Sequence, residues 1–258
     1  MKNIGSIPIH AVTALDKSGQ PCTVLVANEN PLTVFMDNHK IVTLMTLGTY
    51  PEALAIGYLR NQKLVETWQT IKSIHINTEN ETIEVHTAQA VEPNKMAPGM
   101  IKTGCGQGIS FNIHQLPNIE LPPLEISQTL IYTLLETLTQ QNEIHRQAGS
   151  VHSCALCQAE NILAFVEDVG RHNAVDTIAG LMWLNNWTGE DKIFYTTGRL
   201  TSEIVMKVAH LGIPILLSRS GITYKSIEIA QKIGMTLIAH AKGQRFLVFN
   251  GEVKSMPK

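Results

Sequence analysis

Charge is scarce in this chain and neither sign dominates. Only 16% of its 258 residues are Asp, Glu, Lys or Arg, and the net charge is −2. A chain so balanced presents no general field to nucleic acid or to an anionic membrane surface, so any anion site has to be built locally. Long apolar runs are also missing, and nothing approaches the length of a membrane span. Met1 to Val12 holds one lysine and no continuous apolar stretch, which excludes a secretory signal there. Cysteine is rare: four residues in a chain without such a signal point to a reducing cytosol, with free thiols, ligands or redox groups in place of structural disulfides. There is no Walker-A loop, no strand–GxGxxG–helix fingerprint, no solenoid repeat and no low-complexity tract. What the chain does have is apolar mass. At 44% hydrophobic it can bury a real core as one large domain or two modest ones.

The patterning changes near residue 125. Residues 1–125 read as a small β-rich α+β domain, with strands at Val24 to Ala27, Leu32 to Met36, Ile41 to Leu47, Ile71 to Ile76 and Ile83 to His86. Thr49 to Glu52 reads as a capping box with an early proline, opening a helix through Leu59. A glycine-rich loop, Gly99 to Gly108, and a proline-rich connector, Leu116 to Leu124, follow. From 126 to 258 the chain turns α/β. Ile131, Leu134, Leu135 and Leu138 mark one helix face. Strands at 161–166, 192–196, 213–218 and 236–241 then alternate with helices at 174–185, 201–211 and 223–233, and a last strand starts at Arg245. Such alternation predicts a largely parallel sheet with helices on its faces.

The ends of these strands carry the chemistry. Glu167 to Asp176 places two carboxylates, Arg171 and His172 at a strand-to-helix turn, where backbone N–H groups favour anions. Arg199, Arg219 and Arg245 recur at later strand ends, with Gly198, Gly221 and Gly243 beside them and Asn173, Thr201 or Ser202, and Thr223 as available helix caps. A single such arginine is an ordinary surface residue. Four on the carboxyl edge of one α/β sheet describe a pocket for a large phosphorylated ligand, because guanidinium recognises phosphate in a bidentate way. His240 lies beside the last of these loops.

Two cysteine settings differ. Cys105 sits among Gly104, Gly106 and Gly108, with Lys102 near enough to favour a thiolate. That suits covalent carrier chemistry, and an incidental cysteine in a connector fits equally well. His152, Cys154 and Cys157 have metal-ligand spacing but no fourth ligand, no second CxxC and no H-x-E partner motif of a zinc deaminase. Small apolar residues lining a turn or strand is the simpler reading of the two cysteines.

Taken together, residues 103–106, 149–156, 167–176, 197–203 and 212–220 resemble the formate dehydrogenase accessory sulfurtransferase family, over a stretch from about Val24 to Phe249. The resemblance implies a homodimeric cytoplasmic protein in which a small α+β domain joins a cytidine-deaminase-like α/β domain. It implies a sulfurtransferase that takes sulfur from a cysteine desulfurase as a persulfide on Cys105. The sulfur passes to the bis-molybdopterin guanine dinucleotide cofactor, with molybdenum or tungsten, before insertion into the formate dehydrogenase apoenzyme. That cofactor is the bound substrate, and no resident metal is expected. His240, Ala241, Lys242, Gly243, Gln244 and Arg245 fall on the family's cofactor-binding segment, and Arg171, His172, Arg199, Ser218 and Arg219 complete the expected binding set. The chain departs from the family in two places. Gly108 stands where many members carry a second loop cysteine, and Cys154 and Cys157 stand where alanine or another non-cysteine is usual. The two could supply the missing second thiol to Cys105. The alternative function is a chaperone that binds the molybdenum cofactor without transferring sulfur. A zinc deaminase, suggested by the implied fold alone, is disfavoured by the missing H-x-E.

Overall fold

The structure, a computed structural model, describes residues 8–88 and 119–255. In chain order its elements are β1 (Ile9–Leu15), β2 (Pro21–Ala27), β3 (Asn30–Met36), β4 (His39–Thr46), α1 (Pro51–Asn61), β5 (Ile71–Asn77), β6 (Thr82–Thr87), α2 (Gln128–Gln141), α3 (Glu143–Ala148), β7 (His152–Gln158), β8 (Asn161–Asp168), α4 (Arg171–Leu184), β9 (Ile193–Thr196), α5 (Ser202–His210), β10 (Ile215–Ser218), α6 (Tyr224–Ile233), β11 (Thr236–Lys242) and β12 (Arg245–Asn250). The fold class is α/β. Two compact units result: one from the described residues within Met1–Gln107, Asn142–His152 and Glu167–Gly180, the other from those within Gly108–Gln141, Ser153–Val166 and Leu181–Lys258.

The first unit holds a four-stranded sheet, β4-β3-β6-β5, and a separate antiparallel ribbon of β1 and β2. β3 alternates buried and half-buried residues, putting Leu32, Val34 and Met36 into the core. It meets β4 through Asp37 and Asn38, both at positive φ, the two-residue turn whose twist suits a hairpin. Helix α1 is buried on nearly every side. Its Gly57 faces the backbone of Asp176, and Gly180 of α4 faces the backbone of Ala53, so the two helices touch main chain to main chain. Arg60 then donates to Ala179 O at 3.0 Å and Asn61 to Asp176 Oδ1 at 2.6 Å. The expected capping box is not formed. The N-cap is Tyr50, in the left-handed region at φ 58°, and Pro51 opens the helix with its φ already set.

The second unit is organised by a six-stranded sheet in the order β12-β11-β10-β9-β7-β8. β9, β10 and β11 are parallel, while β7 runs antiparallel to β9 and β12 antiparallel to β11. The expected parallel sheet is thus a parallel centre with antiparallel flanks. β9 and β10 are buried throughout, as continuous apolar strands covered on both faces should be. One core packs Ile131, Leu134, Leu135 and Leu138 of α2 on Ala155, Cys157, Tyr195, Leu217 and Ile238 of the sheet.

Candidate functional site at the strand ends

In the second unit the loops that leave β9, β10 and β11 are stitched to one another. Ser218, wholly buried, donates its hydroxyl to Gly198 O at 2.7 Å and accepts Ser220 N–H at 2.9 Å. Arg219 N–H reaches Thr196 O at 3.1 Å, Leu200 N–H reaches Gly221 O at 2.9 Å, and His240 N–H reaches Ser220 O at 2.9 Å. Backbone groups that parallel strands leave open at their carboxyl ends are therefore satisfied between loops. The result is a fixed platform, not three independent connections. Arg199 is exposed on it, Arg219 is half-buried, and His240, Lys242, Gly243, Gln244 and Arg245 are exposed at the β11–β12 end.

That end is shaped by two backbone departures. The β11–β12 register shifts between Ala239 and Lys242, and within the shift His240 adopts φ 53°. A bulge of this kind re-aims side chains, here leaving His240 and Lys242 exposed with Ala241 buried between them. Gly243, at φ 59°, is the first residue of the two-residue turn that pairs Lys242 with Arg245. A Cβ at Gly221 would lie in ordinary contact with the His240 ring, 3.4 Å away, so the two loops meet there.

Among the described residues, none of Arg199, Arg219, Lys242 and Arg245 has an ion-pair partner. The polar neighbour of Arg219 is the phenol of Tyr195, a side chain with no exposed surface. Burial pushes that phenol up to about 12, against the pull of Arg219, so it stays neutral and leaves the cation's charge available.

Arg171 and His172 open α4 and belong to the first unit. Arg171 likewise has no ion-pair partner among the described residues, and its buried Nε makes no hydrogen bond. The carboxylates of the motif are occupied elsewhere. Glu167 accepts the N–H groups of Ile144 and His145, both at 2.9 Å, and so caps α3. Asp176 meets Asn61 on α1. Asp168 is almost wholly buried and accepts from Thr46 Oγ1, Leu47 N at 3.2 Å, Gly170 N at 2.9 Å and Asn173 Nδ2 at 2.9 Å. Burial outweighs these donors and raises its pKa to about 6. Asn173 lies inside α4, not at its cap, and its amide also reaches Met45 O at 2.7 Å. Thr201 and Thr223 do stand at the N-caps of α5 and α6, without a side-chain cap bond in either case.

The arginine-bearing strands are not four neighbours, since β7 stands between β8 and β9. Cys105, Lys102 and the glycine loop from Gly99 to Gly108 lie outside the described residues. Cys154 and Cys157 lie in strand β7, without exposed surface. Three positions apart in a strand, they point to opposite faces roughly 10 Å apart, so they form neither a disulfide with each other nor two corners of one zinc site. Cys157 packs in the core, and burial pushes its thiol up to about 12; Cys154 donates to Thr196 Oγ1 at 3.3 Å. Among the described residues no three His, Cys, Asp or Glu side chains converge as metal ligands. Sequence reasoning passed over Thr46, Asn61 and Tyr195. Nothing local flags them, because each acquires its partner from a distant stretch of chain.

Comparison with known proteins gives this α/β fold a lineage. The FdhD/NarQ family model matches residues 27–255, and the chain belongs to that family. It is 31% identical to the sulfur carrier protein FdhD of Listeria monocytogenes serotype 4b (strain F2365), over 88% of this chain and 89% of that protein. It is 28% identical to the sulfur carrier protein FdhD of Bacillus subtilis (strain 168), over 87% of each. A crystal structure of a formate dehydrogenase accessory protein from Desulfotalea psychrophila superposes with a TM-score of 0.76 at 27% identity, covering 94% of this chain and 96% of that one.

Proposed function

We propose that this protein is a sulfur carrier for formate dehydrogenase maturation. Cys105 receives a sulfane sulfur from a cysteine desulfurase, its thiolate favoured by Lys102. It hands the outer sulfur of the persulfide to a bound bis-molybdopterin guanine dinucleotide, with molybdenum or tungsten, ahead of insertion into the apoenzyme. The names of the relatives support sulfur carriage and the accessory role. The observation that carries ligand binding is the set of cations at the β9, β10 and β11 ends that have no carboxylate partner among the described residues. Arg199, Arg219, Lys242 and Arg245 are held on a stitched platform and offer the charge that pyrophosphate needs. Ser218 fixes the platform from beneath, and His240 with Gly243 and Gln244 presents a ring and backbone to the nucleotide end. Arg171 and His172 hold a further anionic part of the ligand. The protein acts in the cytoplasm, as a homodimer.

The test is intact-protein mass spectrometry after incubation with a cysteine desulfurase and cysteine. A sulfur-mass adduct, lost on reduction and absent from Cys105→Ala, is the expected result. Wild-type protein that activates formate dehydrogenase yet never carries the adduct would leave a cofactor-binding chaperone as the function.

A further inference from the structure

We infer that Thr46 and Asp168 form a clasp that positions Arg171 and His172 for the ligand, an inference that rests on the binding role proposed for those two residues. The clasp joins stretches far apart in sequence but inside one unit. Its centre is a carboxylate shared by two backbones. Oδ2 takes the Thr46 hydroxyl and the Leu47 amide from the end of β4, while Oδ1 takes the Gly170 amide and the Asn173 side chain from the turn that starts α4. Asn173 closes the loop by donating to Met45 O, and Gly48 N–H rests on the Thr46 hydroxyl at 3.3 Å. Arg171 and His172 are the two residues between Gly170 and Asn173, so both ends of their short segment are tied to one aspartate.

The chemistry argues for positioning over simple support. A desolvated carboxylate is costly to bury, and replacing a buried ionic group by apolar residues often leaves a protein as stable or more so. Among the described residues, the charged causes that usually justify such a group are absent. Asp168 is held by hydrogen bonds alone, and none comes from an arginine. A fixed acceptor does, however, hold the Gly170 N–H on one side of the segment and the Asn173 side chain on the other, which limits how far the start of α4, and Arg171 with it, can shift. Binding geometry gains from such rigidity because less freedom is lost when the ligand arrives.

The experiment is isothermal titration of the full chain with guanosine diphosphate, comparing wild type, Thr46→Val, Thr46→Ser, Arg171→Ala and the Thr46→Val/Arg171→Ala double variant, with thermal unfolding of each. Thr46→Val keeps the shape and removes the hydroxyl. The expected result is about three- to tenfold weaker binding by Thr46→Val, restoration by Thr46→Ser, and in the double variant a loss short of the sum of the two single losses, because both changes act through the short segment that carries the Arg171 guanidinium. Wild-type affinity in Thr46→Val, or losses that add in full in the double variant, would overturn the clasp while leaving the binding role intact. Wild-type protein that does not bind the nucleotide would overturn the binding role, and the clasp with it.

Discussion

Asp168 is the residue whose titration has the clearest consequence. Its folded pKa is raised from 3.8 to about 6 because burial penalises the ionised form more than the four donors reward it. The folded state therefore holds the proton more tightly than the unfolded chain does. The stability this contributes is fully present below the unfolded value and is lost as pH rises through about 6. At 1.36 kcal/mol per pH unit of displacement the contribution is roughly 3 kcal/mol. Asp168→Asn carries no proton to lose. Urea unfolding of both proteins from pH 4 to pH 7.5 should show wild type losing stability relative to the variant across that window; a pH-independent difference would contradict the assignment. The cysteines make a second residue-scale case. Cys22 is exposed, whereas Cys154 and Cys157 have no exposed surface and burial keeps the Cys157 thiol protonated. Native alkylation followed by peptide mapping should label Cys22 and spare both β7 cysteines, which react only in denaturant. Labelling of Cys157 at the rate of Cys22 would show that β7 opens far more readily than a core strand should.

At the scale of elements, the contact between α1 and α4 is the feature least tolerant of change. An added Cβ at Gly57 would lie 1.7 Å from Asp176 O, and one at Gly180 would lie 1.9 Å from Ala53 O. Both obstacles are backbone, so the helices have to separate, breaking the Arg60 and Asn61 bonds that span them. Either alanine variant should lose about 2–4 kcal/mol, at the upper end for overpacking, and melt several degrees lower. A thermal scan indistinguishable from wild type would mean that the helices are less closely apposed. This contact also marks how far the sequence could be read. Most strands and helices were legible from period alone, since β3, β6, α2 and α6 each bury one face. β1 was not, because it buries neither face and shows no useful alternation. β7 was not, because both its faces are buried and its polar His152 and Ser153 hide the run. At six residues, α3 is too short to show a period. The arginines at strand ends were legible because position after a strand is a local property. The occupants of the Asp168 carboxylate and the facing glycines were not, because Thr46 and Asp168 are 122 residues apart and nothing in either neighbourhood names the other.

For the molecule as a whole, the proposed function assigns ligand binding and sulfur carriage to different residues. The net charge is −2, so on that proposal attraction of an anionic cofactor cannot come from the general field and falls to the cations at the strand ends, which among the described residues have no ion-pair partner. Each charge-assisted contact to phosphate is worth about 1.5–3 kcal/mol, roughly a tenfold to hundredfold change in affinity per arginine removed. Arg199→Ala, Arg219→Ala and Arg245→Ala should each weaken guanosine diphosphate binding to that degree and steepen no dependence on salt, since fewer phosphate contacts remain to be screened. None of them is assigned a part in the proposed persulfide chemistry, so desulfurase-dependent loading of Cys105 should proceed at the wild-type level in all three. Cys105→Ala should do the reverse: normal nucleotide affinity by calorimetry, no sulfur adduct by mass spectrometry, and no activation of formate dehydrogenase in cells. If the arginine variants lost the adduct while keeping nucleotide affinity, the cations would serve the docking of the sulfur donor and not the cofactor. The division of labour between the loop cysteine and the sheet edge would then have to be redrawn.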